Sequence, residues 1–173
     1  CGICLSDPLI YEAFTYYDHE VLPYKNDDMI NAKAVPGAHA ALQAVQDAGL
    51  RCALFTNPSF PQGAIECRMG WGELTDAPFE LVTHMGNATR CKPDATYYLE
   101  QLQVMGLEPH EVLMVGNDPK RDFPSPACGI QTAYVGQGKP GRATWRGTME
   151  DFARDFNAVV EAFYEHQIAD ELS

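Results

Sequence analysis

The sequence is short of positive charge and of long apolar runs, and each shortage excludes a class of partner. Only 12 residues are Lys or Arg against 24 Asp or Glu, so the formal net charge of the 173-residue chain is −12. Nucleic acids and anionic membrane surfaces both select clustered cations, which this chain does not offer. No apolar run approaches the roughly 18–20 residues of a membrane-spanning helix. We therefore predict neither a nucleic-acid partner nor a membrane partner.

Cysteine pairs are also scarce. The sequence has six cysteines, and only Cys1 and Cys4 form a C-x-x-C pair. A zinc site needs a second such pair and a redox site needs a helix N-terminus after it, and neither follows. The remaining pattern is typical of small buried hydrophobic residues with reduced thiols. This usage predicts a cytoplasmic protein.

What the sequence does contain is an alternation of apolar runs and amphipathic segments. Apolar residues make up 46% of the chain, enough for a sizeable core. The predicted strands lie near 51–57, 79–84, 111–116 and 131–136, and the predicted helices lie near 36–49, 60–70, 94–106 and 149–168. Strands and helices that alternate at this spacing predict right-handed βαβ units. We therefore predict an α/β fold with a parallel sheet and helices on both faces.

The first 31 residues differ from the rest. They are aromatic and acidic, look partly helical and show no strand alternation. We therefore divide the chain into an N-terminal segment, residues 1–31, and an α/β core, residues 32–173.

Polar residues follow three of the predicted strands. Ligands of open parallel sheets bind beyond the carboxyl ends of the strands. The residues found there are Thr56, Asn57, Lys92, Asn117, Asp118 and Asp122. A hydroxyl, an amide and an ammonium group suit a phosphate, and carboxylates suit a divalent cation.

Each of these residues has an ordinary structural alternative. Thr56 and Asn57 could form a strand-terminating turn, and Lys92 could be a solvated loop lysine. Asp118 and Asp122 could cap a helix. Their shared position after strands favours a joint phosphate and metal site.

The motifs LFTN, CKP and VGNDPKRD, followed by ACGIQTAYV, resemble motifs two, three and four of the haloacid dehalogenase-like (HAD) hydrolases. The resemblance covers about residues 36–136. It implies a Rossmann-like core, a helical cap of which residues 1–31 are the last part, and Mg²⁺-dependent hydrolysis of a small phosphate ester through an aspartyl-phosphate. By position, Thr56 would bind the transferring phosphoryl group, and Lys92 would stabilise the charge on the nucleophile and phosphate. The acidic group of motif four would bind magnesium.

Motif four departs from the family pattern at one position. Asn117 follows the glycine where the family often has Asp. The direct magnesium ligand therefore stays open among Asn117, Asp118 and Asp122.

The nucleophile motif of the family, D-x-D-x-T at the end of the first strand, is absent. The chain has twelve Asp residues, and no two of them are separated by one residue. Asp7 is a weak surrogate, because Leu9 stands at the acid/base position. In the family, the missing strand lies between the strands ending at LFTN and VGN, and its loss would leave two edges unpaired. We therefore expect upstream sequence to carry this strand and most of the cap.

Two alternative functions stay open. The first is a catalytically inactive HAD-like protein that binds phosphate or metal. The second is another parallel α/β module, but a receiver needs an acidic pair after its first strand and a flavodoxin-like domain needs a phosphate loop there, and neither is present. The five histidines show no metal spacing, and His84 is the one that follows a predicted strand.

Overall fold

The structure is a computed structural model that describes residues 7–138, 140 and 142–171. The α-helices are α1 (Pro8–Tyr16), α2 (Ala38–Asp47), α3 (Gln62–Trp71), α4 (Ala95–Met105), α5 (Met149–Arg154) and α6 (Phe156–Glu171). The strands are β1 (Cys52–Leu54), β2 (Phe79–Val82), β3 (Leu113–Gly116), β4 (Gln131–Val135) and β5 (Trp145–Gly147). The Cys1–Cys4 pair lies outside the described residues.

All five described strands run parallel to their neighbours. β1 pairs with β2, and β3, β4 and β5 form a second sheet in that order. The four predicted strands are confirmed, but β5 was not predicted, because three residues are too few to show a period. Within residues 7–138, 140 and 142–171, no ladder joins β1 to β3. The strands therefore form two sheets, and the gap lies where the sequence analysis expects the family's missing strand, between β1 and β3.

Strand β3 shows that helices cover both faces of its sheet. Leu113 and Val115 pack against a core of α2, α5 and α6 side chains that includes Phe152. Met114 faces the other way and packs against a second core built on α4. Successive residues of a strand point to opposite faces, so this alternation confirms the predicted helical layers on both sides.

Helix α4 begins at a side-chain N-cap and ends at a glycine. The side chain of Asp94 accepts a hydrogen bond from the Thr96 N–H at 2.8 Å, as an N-cap does. Gly106 ends the helix with φ +66°, a left-handed conformation that glycine adopts at little cost. The cap places Tyr97 and Tyr98 in the first turn, where both are fully buried.

The N-terminal segment is helical, as predicted, but irregular. After α1 the chain makes the π-helical turns Tyr17–Val21 and Asn26–Ile30 around a short 3₁₀ turn. The first of these turns packs on α3, where Gly63 leaves room for the His19 ring. Several large apolar side chains of the segment are exposed to solvent: Leu9, Tyr11, Phe14, Tyr16, Tyr24 and Ile30. The division at residue 31 stays a prediction.

The C-terminal helix differs from the single helix that the sequence predicts. It is interrupted at Asp155, where α5 ends and α6 begins. The guanidinium of Arg154 binds both Asp151 and Asp155 around this break. In the part of the chain that is described, no helix combines the length and apolarity needed to cross a membrane.

Candidate functional site

Lys92 joins the two sheets at the carboxyl ends of their strands. Its Nζ donates to the carbonyl oxygen of Phe55, directly after β1, at 2.8 Å and to Oδ1 of Asp122, after β3, at 2.7 Å. The Lys92 side chain is 9% exposed. The alternative of a solvated loop lysine is therefore wrong. Lys92 is a largely buried cation held between two loops from different sheets.

Asp122 fixes the turn that follows β3. Its Oδ2 accepts from the backbone N–H groups of Asn117 at 3.0 Å and Asp118 at 2.9 Å. With the Lys92 contact, three donors occupy this carboxylate, which is 13% exposed. Asp122 therefore supports the loop of residues 117–122 from inside. This loop is called the acidic loop below.

Asp118 and Asn117 are the accessible oxygen donors of the loop. The Asp118 side chain is 44% exposed, although Oδ1 accepts from the Lys120 and Arg121 amides and Oδ2 lies 3.6 Å from Arg121 Nε. Asn117 is exposed. Carboxylate and amide oxygens fit Mg²⁺, which commonly takes one or two carboxylates and completes its shell with water and phosphate. Over the described ranges, no group of three or more His, Cys, Asp or Glu could hold a metal alone.

Thr56 is tied to the end of the neighbouring strand β2. Its hydroxyl donates to the carbonyl oxygen of Thr83 at 2.6 Å, and its N–H donates to Thr83 Oγ1 at 2.8 Å. Asn57 is exposed, and its side chain has no hydrogen bond to any described residue. Asn57 therefore offers free amide donors, whereas the Thr56 hydroxyl must rotate before it can donate to a ligand.

Three residues that were not predicted to belong to the site connect these groups: Thr83, Tyr97 and Tyr98. The Tyr97 hydroxyl donates to the Thr56 carbonyl oxygen at 2.7 Å and lies 2.8 Å from Thr83 Oγ1. The Tyr98 hydroxyl donates to the carbonyl oxygen of Asp122 at 2.5 Å. The available signal was two adjacent tyrosines in the helix that follows Lys92, since buried hydroxyls need partners.

Two other candidates have local structural roles in the described chain. His84 uses Nδ1 to accept a hydrogen bond from the Gly86 N–H, within its own turn. Asp7 accepts from the Leu9 N–H and caps α1.

A cleft of about 460 Å³ lies beside the acidic loop. Its lining residues are Pro93, Pro119, Lys120, Phe123, Pro124, Ser125 and Arg142. None of the six predicted site residues lines it, although their sequence neighbours Pro93, Pro119 and Lys120 do.

A protein-family model described as haloacid dehalogenase-like hydrolase matches residues 8–128. The chain belongs to this family. The phosphoglycolate phosphatase of Rhodospirillum rubrum is 30% identical to it over 115 residues, which are 66% of this chain and 46% of that protein. The HAD chain thus spans about half the length of this relative. The matched family is one of hydrolases, and this relative is a phosphatase.

Solved structures share the fold. A β-phosphoglucomutase from Clostridium difficile is 15% identical with a TM-score of 0.64, over 78% of this chain and 58% of that one. A HAD family hydrolase from Deinococcus radiodurans, with bound phosphate and sodium, is 20% identical with a TM-score of 0.61, over 87% of this chain and 74% of that one. The Rossmann-like HAD core predicted from the motifs is therefore confirmed.

Gly116 is the residue whose substitution tests the packing of the acidic loop. A Cβ at this position would lie 2.5 Å from Asp122 Cβ and 2.7 Å from Oδ2. We expect Gly116→Ala to displace Asp122 from Lys92 and lower the free energy of unfolding by about 1–3 kcal/mol. Chemical denaturation measures this loss.

Gly70→Ala is the matched control for Gly116→Ala. It lies within α3, where the nearest atom to a new Cβ is 3.8 Å away. Removing a helical glycine there should raise stability by about 0.5–1 kcal/mol. Equal stability of Gly116→Ala and the parent would contradict the tight packing of this loop.

Proposed function

We propose that this chain is the core of a Mg²⁺-dependent HAD phosphatase that hydrolyses a small phosphate ester through an aspartyl-phosphate. The observation that carries the proposal is the Lys92 ammonium, held between the end of β1 and Asp122. A buried cation at the carboxyl edge of a parallel sheet is suited to an anionic group there. The phosphatase similarity of the family supports phosphate as that group.

Each proposed residue has a separate role. Lys92 stabilises negative charge on the attacking carboxylate and the phosphoryl oxygens. Thr56 and Asn57 donate hydrogen bonds to the phosphate and orient it. Asp118 and Asn117 are the proposed metal-binding residues, and Asp122 holds them in place through their backbone N–H groups. Mg²⁺, when bound, neutralises part of the charge on the phosphate.

The proposed nucleophile is an aspartate outside these 173 residues. No group in the polar cluster is a placed nucleophile, and the chain contains no D-x-D pair. Among the described residues, β1 and β3 each have one edge without a ladder partner. A strand that carries such an aspartate could pair with these edges. The exposed apolar side chains of residues 9–30 suit the remainder of a helical cap.

The second candidate is a HAD-like protein that binds phosphate or Mg²⁺ without turnover. The absence of D-x-D-x-T favours it. Both candidates share the binding site, so binding is the first quantity to measure.

Asp118→Asn tests the proposed metal site. The change removes the accessible carboxylate charge, so we expect Mg²⁺ affinity to fall about fivefold or more in isothermal titration with inorganic phosphate present. The affinity should be unchanged in Asp47→Asn, an exposed carboxylate at the C-terminal end of α2. Equal affinities of the parent and Asp118→Asn would overturn the assignment of Asp118.

A further inference from the structure

Helix α4 is hydrogen-bonded to both loops of the site by two consecutive residues. Tyr97 contacts the Thr56 carbonyl and Thr83 Oγ1, and Tyr98 contacts the Asp122 carbonyl. Both tyrosines are fully buried. Their hydroxyls therefore end on the backbone of the two loops that carry the proposed phosphate and metal groups.

The helical geometry explains how neighbours in sequence reach different loops. Successive residues of an α-helix point about 100° apart. The Tyr97 and Tyr98 rings lie 5.1 Å apart, centre to centre, in an edge-on contact at an interplanar angle of 87°. Phe55 packs edge-on against Tyr97 at 5.9 Å and so fills the space beside the end of β1.

The two loops belong to sheets that no described ladder connects. Phe55 and Met114 pack against the same α4 core. Beyond that shared packing, the relative position of the loops depends on side chains that bond to both. Lys92 is one such connection, and the Tyr97–Tyr98 pair on one rigid helical turn is another. Burial raises the pKa of both tyrosines well above its ordinary value, so the hydroxyls stay protonated and remain donors.

We propose that Tyr97 and Tyr98 are positioning residues that set the distance between the Thr56 loop and the Asp118–Asp122 loop. Tyr97 holds the phosphate side, and Tyr98 holds the metal side. The consequence for ligand binding rests on the proposed function, whereas the positioning of the loops does not.

Amide hydrogen exchange tests the positioning without any ligand. We expect Tyr97→Phe to speed exchange of the Thr56 amide about threefold to tenfold and to leave the Asn117 and Asp118 amides unchanged. Tyr98→Phe should produce the opposite pattern. Rates are normalised to the amide of Ala133 in β4, so that a general loss of stability cancels.

Tyr134→Phe is the matched control. Its hydroxyl accepts from the Gly138 N–H at 3.0 Å and has no hydrogen bond to either loop among the described residues. After normalisation we expect no change at Thr56, Asn117 or Asp118. Equal acceleration of all three amides in either α4 variant, or none, would overturn the inference and leave the tyrosines as core residues.

Titration with MgCl₂ and with inorganic phosphate separates this inference from the proposed function. If the exchange pattern differs between the two variants as expected, Tyr97→Phe should lower the affinity for phosphate more than the affinity for Mg²⁺. Tyr98→Phe should lower the affinity for Mg²⁺ more than the affinity for phosphate. A split exchange pattern in a parent chain that binds neither probe would support the positioning and count against the phosphatase. Binding by the parent with no split in exchange would overturn the positioning alone.

Discussion

Replacing Lys92 by methionine should lower both the stability of the chain and its affinity for phosphate. Methionine keeps most of the length of the side chain but leaves the largely buried Asp122 carboxylate without its cation. Breaking such a pair costs about 3–5 kcal/mol, a large part of the roughly 5–15 kcal/mol of a typical domain. Urea denaturation measures the loss of stability. Titration with inorganic phosphate should show that the affinity falls at least about tenfold, equal to about 1.4 kcal/mol.

A double-mutant cycle isolates the contact. The cycle compares Lys92→Met, Asp122→Asn and the pair together, and we expect the double variant to lose about 1–3 kcal/mol less than the sum of the single losses. Lys33→Met removes the same charge from an exposed position and should stay within about 0.5 kcal/mol of the parent. Additive losses in the cycle would show that Lys92 and Asp122 do not interact.

This result would differ from the one expected of a solvated loop lysine, whose substitution should hardly change stability. Because Lys92 is 9% exposed and bonded to Asp122, we expect stability and phosphate affinity to be lost together.

Adding a strand that carries D-x-D-x-T should change the rate of phosphate-ester hydrolysis more than any substitution in the described site. We expect the 173-residue chain alone, with magnesium and an aryl phosphate, to show little turnover above background. Lys92, Thr56 and Asp118 can position charge, but none of them is placed to attack phosphorus. A longer protein in which such a strand precedes residue 1 should be active.

The control substitutes the first Asp of that motif by Asn in the longer protein. Loss of the attacking carboxylate should lower turnover on the order of a thousandfold or more. The contrary outcome is robust, metal-dependent turnover by the 173-residue chain that disappears in Asp7→Asn. It would identify Asp7, which caps α1 in the structure, as the nucleophile.

Much of the fold could be predicted because its signals are local. The four predicted strands are apolar runs bounded by polar residues, and α4 has Asp94 and Gly106 at its ends. Strand β5 could not be predicted because its three residues are too few to show a hydrophobic period. The break at Asp155 could not be predicted because the apolar pattern of the last helix continues through it.

By itself, the sequence determined the α/β class, the family and the six candidate residues, because the carboxyl ends of parallel strands meet at one edge. Only the tertiary structure showed that Asp122 is occupied by three donors while Asp118 stays accessible, because both facts depend on how distant loops pack. It alone revealed Tyr97 and Tyr98, whose hydroxyls find carbonyl partners at Thr56 and Asp122. A hydrogen bond across 41 or 24 positions depends on where two distant backbones pack, and no local pattern encodes that choice.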